Sequence, residues 1–161
     1  MKGVYLCSRL HRLPGYDIDY NDIEDLPGIN LLCSCEDVDL SKYDYIIATP
    51  PCNYYSRANW RRERSSVALN TKHLLPFCIE ACVRSGKPFI IENVLNSRLL
   101  PKTNLFEFEF GQHHFYTNVL MLVYDKSYAV FQNKQYISRS LRDGNYNVDL
   151  IIKLFLETIG A

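Results

Sequence analysis

Two runs most constrain what this chain can fold into. Tyr45-Ile46-Ile47-Ala48 and Pro88-Phe89-Ile90-Ile91 are apolar along their whole length. A strand that buries one face alternates apolar and polar residues. A run without alternation needs cover on both faces, as a central strand of a parallel sheet does. Between the two runs, Ser65 to Ser85 reads as helix. Leu74, Leu75, Cys78, Ile79 and Cys82 fall on one face, Gly86 and Pro88 stop it, and Pro76 should kink or split it. Strand, helix and strand in that order predict a parallel pair joined by a crossover, with Tyr45–Ala48 beside Phe89–Ile91.

The remaining apolar runs are short and rich in β-branched and aromatic residues: Val4–Cys7, Tyr16–Ile18, Leu31–Cys33, Phe106–Phe110 and Val119–Tyr124. The last two read as an antiparallel edge, and Val148 to Ile159 as a closing amphipathic helix. The expected architecture is α/β, one domain over residues 1–161 with a mostly parallel sheet. At 161 residues, 47% hydrophobic and 22% charged, the chain does not resemble a disordered, fibrous or coiled-coil sequence. No apolar run reaches the roughly 18–20 residues of a membrane span. Met1 to Arg9 turns polar too soon for a signal peptide, so a cytoplasmic protein is expected, with no membrane partner.

Lys and Arg number 18, as do Asp and Glu, so the formal net charge is zero. Nucleic-acid binding by such a chain requires a local patch. Arg57, Arg61, Arg62 and Arg64 form one, beside Tyr54, Tyr55 and Trp60; arginines bind phosphates and aromatics stack on bases. The plainer reading of the same cluster is a solvated helix start. The six cysteines read as reduced thiols packed as small apolar groups. Cys33-x-Cys35 with Cys78-x-x-x-Cys82 lacks the tight two-residue knuckle spacing of a zinc site, and no metal is expected.

In a parallel sheet, functional residues collect at the carboxyl ends of the strands. Thr49-Pro50-Pro51-Cys52-Asn53-Tyr54-Tyr55-Ser56-Arg57 follows the first central run, and Glu92-Asn93-Val94 follows the second. A thiol and a carboxylic acid side by side there can serve as nucleophile and proton donor. Either alone reads more simply as a buried cysteine or a rim acid.

Together these segments resemble the signatures of the cytosine-C5 DNA methyltransferases: Pro-Pro-Cys with a serine four residues on, then Glu-Asn-Val after an apolar strand. The resemblance implies a Rossmann-like methyltransferase sandwich and a DNA substrate, in a bacterial or phage restriction-modification setting. It also implies S-adenosylmethionine as donor, Cys52 as the nucleophile that adds to C6 of a flipped-out cytosine, and Glu92 as the acid at N3. Ser56, Arg57, Arg61 and Asn93 would line the base and backbone site. Asp19 would hold the cofactor ribose and Asp37 would lie near the adenine. Pro50 and the Gly144-Asn145 turn, through Asn145, would close the donor pocket.

The chain also departs from that pattern. The Gly-rich turn after the first strand is replaced by Ser8-Arg9-Leu10-His11-Arg12-Leu13-Pro14-Gly15. Tyr116 and Asn118 stand where the family carries two arginines, leaving His113 or His114 to compensate. Only Asp125 to Leu141 lies where a target-recognition region would be, so a protein partner or a second copy would supply target recognition. A non-catalytic relative that binds nucleic acid or protein is the alternative. Cysteine hydrolysis with His73 or His113 as base ranks last, since no oxyanion hole is legible.

Overall fold

The computed structural model describes residues 1–95, 98–121 and 146–161. Seven strands form one mixed sheet: β1 (Gly3–Leu6), β2 (Ile18–Asp22), β3 (Leu31–Leu32), β4 (Tyr45–Ala48), β5 (Phe89–Val94), β6 (Phe106–Phe110) and β7 (His113–Thr117). Their order across the sheet is β3-β2-β1-β4-β5-β7-β6. The first five are mutually parallel, and β7 pairs antiparallel with both β5 and β6. The two central runs are adjacent parallel strands, with Ile46 opposite Phe89 and Ala48 opposite Ile91.

Helices cover both faces, which explains the missing alternation. Ile46, Ala48, Phe89 and Ile91 pack with Val4 and Leu6 against Ala68 of α1 (Ser66–Thr71) and Leu75, Cys78 and Cys82 of α2 (Leu74–Ser85). Tyr45, Ile47 and Ile90 point the other way, with Tyr5 and Phe115. There they meet Val148, Ile151, Ile152, Phe155 and Leu156 of α3 (Tyr146–Ile159). Each fully buried Leu, Ile or Phe contributes roughly 1.5–3 kcal/mol relative to exposure.

The helical stretch is split in two as Pro76 predicts, although the break lies upstream of the proline. Pro76 has no N–H to offer the carbonyl of Lys72 four residues earlier, and its ring crowds that carbonyl. The helix opens there, and the Lys72 oxygen accepts the Tyr55 hydroxyl at 2.8 Å instead. Pro76 itself sits comfortably in the first turn of α2. Ser65 caps α1 by accepting the Ala68 N–H, and Gly86 ends α2 in the left-handed conformation.

Two further expectations are corrected. Phe106–Phe110 pairs with His113–Thr117 through a two-residue turn, not with Val119–Tyr124. Gly111, at φ 61°, takes the left-handed position that such a turn reserves for glycine. The two histidines at the start of β7 are paired in place, His113 with Glu92 and His114 with Glu107. Val119 to Met121 is not strand, and residues 122–124 lie outside the described residues. The second strand begins at Ile18 rather than ending there. Its inward position holds a buried amide, Asn21, where an apolar residue would have revealed the strand.

Gly3 lies directly against the Tyr45 ring, which is fully buried, and a Cβ there would overlap that ring. Gly3→Ala should therefore displace that ring and destabilise by about 1–3 kcal/mol. Thermal unfolding should show a midpoint several degrees lower, with Tyr45→Leu in the same background recovering part of the loss.

Candidate active site

The strand order reverses between β1 and β4, and in open α/β sheets ligands bind at the carboxyl ends beside such a point. Three loops leave the sheet there and are bolted together. The Thr49 N–H donates to the Leu6 carbonyl at 3.1 Å, and the Thr49 hydroxyl donates to the Cys7 carbonyl at 2.9 Å. On the other side the buried Asn93 amide donates to the Pro50 carbonyl at 2.9 Å. Pro50 and Asn93 are thus the joint that fixes the loop carrying Cys52, rather than groups turned toward a ligand.

Cys52 is half-buried, and its carbonyl accepts the Ser56 N–H at 2.8 Å. Burial raises its thiol pKa, the Glu92 charge raises it further, and Arg9 pulls the other way. The thiol and the carboxylate therefore share one electrostatic environment at the ends of β4 and β5. Glu92 faces His113, whose Nδ1 lies 2.5 Å from its Oε1. His114 points to the opposite face and bonds Glu107 at 3.2 Å. Tyr116 is buried, its hydroxyl donating to the Pro101 carbonyl at 3.2 Å. Asn118 bonds the backbone of Phe89 and Lys87.

The arginine loop is shaped by its own polar groups. Ser56 caps a small turn by accepting the Ala58 N–H at 3.2 Å, and the Arg62 guanidinium donates to the Ser56 carbonyl at 2.8 Å. Arg57, Arg61 and Arg64 are exposed, as is Trp60 at 76%, with the Arg61 guanidinium 4.2 Å from the centre of its ring. Tyr54 and Tyr55 are not available to stack on bases. They are buried edge to face, 5.4 Å between centres, with their hydroxyls spent on Glu63 and the Lys72 carbonyl.

On the other side of the switch point, Cys7 and Arg9 adopt φ of 53° and 48°, in the left-handed region that side chains disfavour. The chain makes with ordinary residues, under strain, a turn that glycine makes freely. The fully buried Ser8 and the Asn21 side chain pin it: the Ser8 N–H donates to the Asn21 carbonyl, and the Asn21 side-chain oxygen accepts the Cys7 N–H.

Asp19, assigned from the sequence to a strand end, is the second residue of β2. Its carboxylate bonds Lys2 at 2.8 Å, Tyr43 at 2.9 Å and Asn30 at 2.8 Å. Burial opposes its charge, but those partners outweigh burial and hold the carboxyl below its usual range. The acid at the end of β2 is Asp22, half-buried, accepting the backbone N–H groups of Arg9 at 2.9 Å and Glu24 at 3.1 Å. Asp37 is exposed on a short 3-10 turn after β3. Asn145 lies outside the described residues.

The four sulfurs considered for zinc do not converge. Cys35 and Cys78 share hydrogen bonds with a third thiol chain, Cys7–Cys35–Cys78, and the bond to Cys35 together with burial holds the Cys7 and Cys78 thiols well above the ordinary range. Cys33 instead accepts from the Asn21 amide at 3.5 Å. Among the described residues no group of three or more His, Cys, Asp or Glu side chains is arranged to hold a metal ion. Nor is any described helix long and apolar enough to cross a membrane.

Sequence reasoning missed Asp22, Asn21 and Arg9. The signal for the first was a three-residue shift of the strand's end, since Ile18 to Asp22 ends in an acid as Tyr16 to Asp19 does. No protein-family model matches the chain, and no solved structure matches it significantly. Among curated proteins it is similar to the Type II methyltransferase M1.HgaI of Avibacterium volantium, at 30% identity over 92 residues. That match takes in 50% of this chain and 26% of the length of the relative.

Proposed function

We propose that the chain carries cytosine-C5 methyltransferase chemistry on DNA, with S-adenosylmethionine as donor. The feature that supports the reading is the placement of Cys52, in the loop after β4, and Glu92, in the part of β5 that runs past its pairing with β4, so that both lie beyond the carboxyl edge of two adjacent parallel strands. The order of the parallel strands, β3-β2-β1-β4-β5, agrees with that of doubly wound nucleotide-binding sheets. The relative's own description as a Type II methyltransferase supports the same reading.

The base would lie across the two strand ends after flipping out of the stack, since C6 is unreachable inside a duplex. The Cys52 thiolate forms a bond to C6, and the electron pair displaced from C5=C6 is stabilised as N3 takes a proton from Glu92. C5 would then take the methyl group of S-adenosylmethionine, with S-adenosylhomocysteine as the leaving group. Water or hydroxide would take the C5 proton as the thiolate leaves, the C5=C6 bond re-forms and the N3 proton returns to Glu92. Glu92 has a second effect. As a carboxylate it repels the thiolate; carrying a proton it does not. Placing a proton on Glu92 therefore readies both partners at once. Arg57, Arg61 and Arg64 would meet the phosphates, and exposed Trp60 would pack against the duplex beside the extruded base.

S-adenosylmethionine, when bound, supplies the methyl group. Asp22 would accept from its ribose hydroxyls, Asp37 would stand toward the adenine, and the strained Cys7–Arg9 turn would present backbone groups to the amino-acid portion. The turn and the half-buried Asp22 carboxylate are suited to those groups; Asp19, occupied by Lys2 and Tyr43, is not. Calorimetric titration with S-adenosylmethionine should give saturable binding. Asp22→Asn should weaken it about tenfold, the loss of a charge-assisted hydrogen bond. Asp19→Asn should leave it unchanged at a temperature where both variants are folded. No binding at millimolar donor would contradict the donor site and favour a nucleic-acid-binding relative without catalysis.

A further inference from the structure

Glu92 does not face the base site alone. Its Oε1 lies 2.5 Å from Nδ1 of His113, and the two side chains are 13% and 15% exposed. The sheet register produces the contact. Glu92 opposes Phe115 and Val94 opposes His113 in the antiparallel β5–β7 ladder, so Glu92 and His113 are diagonal neighbours on one face. The wall around them is apolar: Phe108 stacks on Phe115 at 5.1 Å, and Phe110 stands opposite His113. The ionisable groups facing the pair come from two other elements. They are Cys52 after β4 and the buried Tyr5 hydroxyl of β1; one step further out, Arg9 acts on Cys52, and Asp149 of α3, bonded to His11 at 2.9 Å, acts on Tyr5. Glu107 and Glu109 of β6 alternate onto the opposite face with His114.

We infer that His113 is the proton reservoir of Glu92: it passes its Nδ1 proton to Glu92 as Glu92 gives one to N3 of the cytosine. The inference rests on the cytosine-C5 reading above. One proton enters Glu92 at Oε1, from His113, as another leaves the carboxyl for N3, and the N–H electron pair stays on Nδ1. The imidazolium becomes neutral imidazole, and the proton returns by the same route when the Cys52 thiolate leaves. No further reactant is required. The arrangement also resolves the conflict between thiolate and carboxylate. With His113 charged and Glu92 carrying its proton, the pair bears net positive charge and favours the thiolate rather than repelling it. With His113 neutral, Glu92 is either an unrefilled acid or a repelling anion. Because His113 acts through Glu92, it is a positioning residue, and its loss should alter turnover rather than DNA affinity.

The test is single-turnover methyl transfer to cytosine-containing DNA across pH, with wild type, His113→Gln and His113→Arg. The wild-type rate should show an alkaline fall, as His113 loses its proton, superimposed on the rise that ionisation of the Cys52 thiol brings. Both variants should be slower by about 100-fold, the usual worth of a positioned proton source. Both should lack the alkaline fall, with DNA binding unchanged. Proton NMR of the unliganded wild type gives a readout independent of turnover: a far-downfield imidazole N–H resonance that Glu92→Gln removes. Wild-type rates in either variant, or the wild-type pH profile retained in both, would overturn the inference while leaving the cytosine chemistry standing. A missing downfield resonance would overturn it too. Wild type that transfers no methyl group at any pH would overturn the underlying reading and this inference together.

Discussion

Cys52→Ser is expected to abolish methyl transfer while leaving the fold and DNA affinity nearly intact. The change is one atom on a half-buried side chain whose loop is held by backbone bonds: Asn93 to Pro50, Thr49 to Leu6, and Ser56 to the Cys52 carbonyl. None involves the sulfur. A serine hydroxyl at the same place is far less acidic than a thiol and gains no base to activate it, so addition to C6 stops. Transfer of labelled methyl groups should fall to background, while thermal unfolding and DNA affinity stay close to wild type. Substantial transfer by Cys52→Ser would contradict the role given to the sulfur.

Glu92→Gln is expected to move two properties of the site in opposite directions. The amide cannot deliver a proton to N3, so transfer should slow by about 10²–10⁴-fold. The same substitution deletes a negative charge that pushes the Cys52 thiol upward, leaving burial as the remaining upward influence. The thiol pKa then falls, the thiolate fraction at a fixed pH below it rises, and alkylation of Cys52 accelerates. Iodoacetamide labelling followed by peptide mapping separates Cys52 from the other five cysteines. A variant that loses transfer because its site has collapsed would lose alkylation control as well. Slower transfer with faster alkylation is the signature of a charge removed from an intact site.

The parts of this site that were legible in the sequence are those set by strand ends. Two runs without alternation read as central and parallel, so whatever follows them leaves one edge of the sheet; the roles proposed there for Cys52 and Glu92 rest on the resemblance to the methyltransferase signatures. The parts that were not legible depend on long-range pairing. Asp22 replaces Asp19 because the amide of Asn21 fills an inward position of β2, bonding the Leu31 and Cys33 carbonyls at 3.1 and 2.9 Å. A buried amide disguises a strand as a loop. His113 and His114 read alike as substitutes for the missing arginines until the β5–β7 register sets His113 diagonally from Glu92 and leaves His114 bonded to Glu107. Tyr54 and Tyr55 read as part of a nucleic-acid surface, since proximity to arginines in sequence does not reveal that their rings pack inward while Trp60 stays out. Pro76 signalled a split helix, but the missing hydrogen bond acts four residues upstream, at Lys72.

The most direct test of the central claim is covalent capture on DNA carrying 5-fluorocytosine in the presence of S-adenosylmethionine. Fluorine at C5 cannot leave as a cation in the way the natural proton does, so the C6–sulfur bond cannot be released once the methyl group has been transferred. The account predicts a stable protein–DNA adduct whose digested peptide carries the base on Cys52, and no adduct from Cys52→Ser. An adduct mapped to another residue, or one that persists in Cys52→Ser, would contradict it.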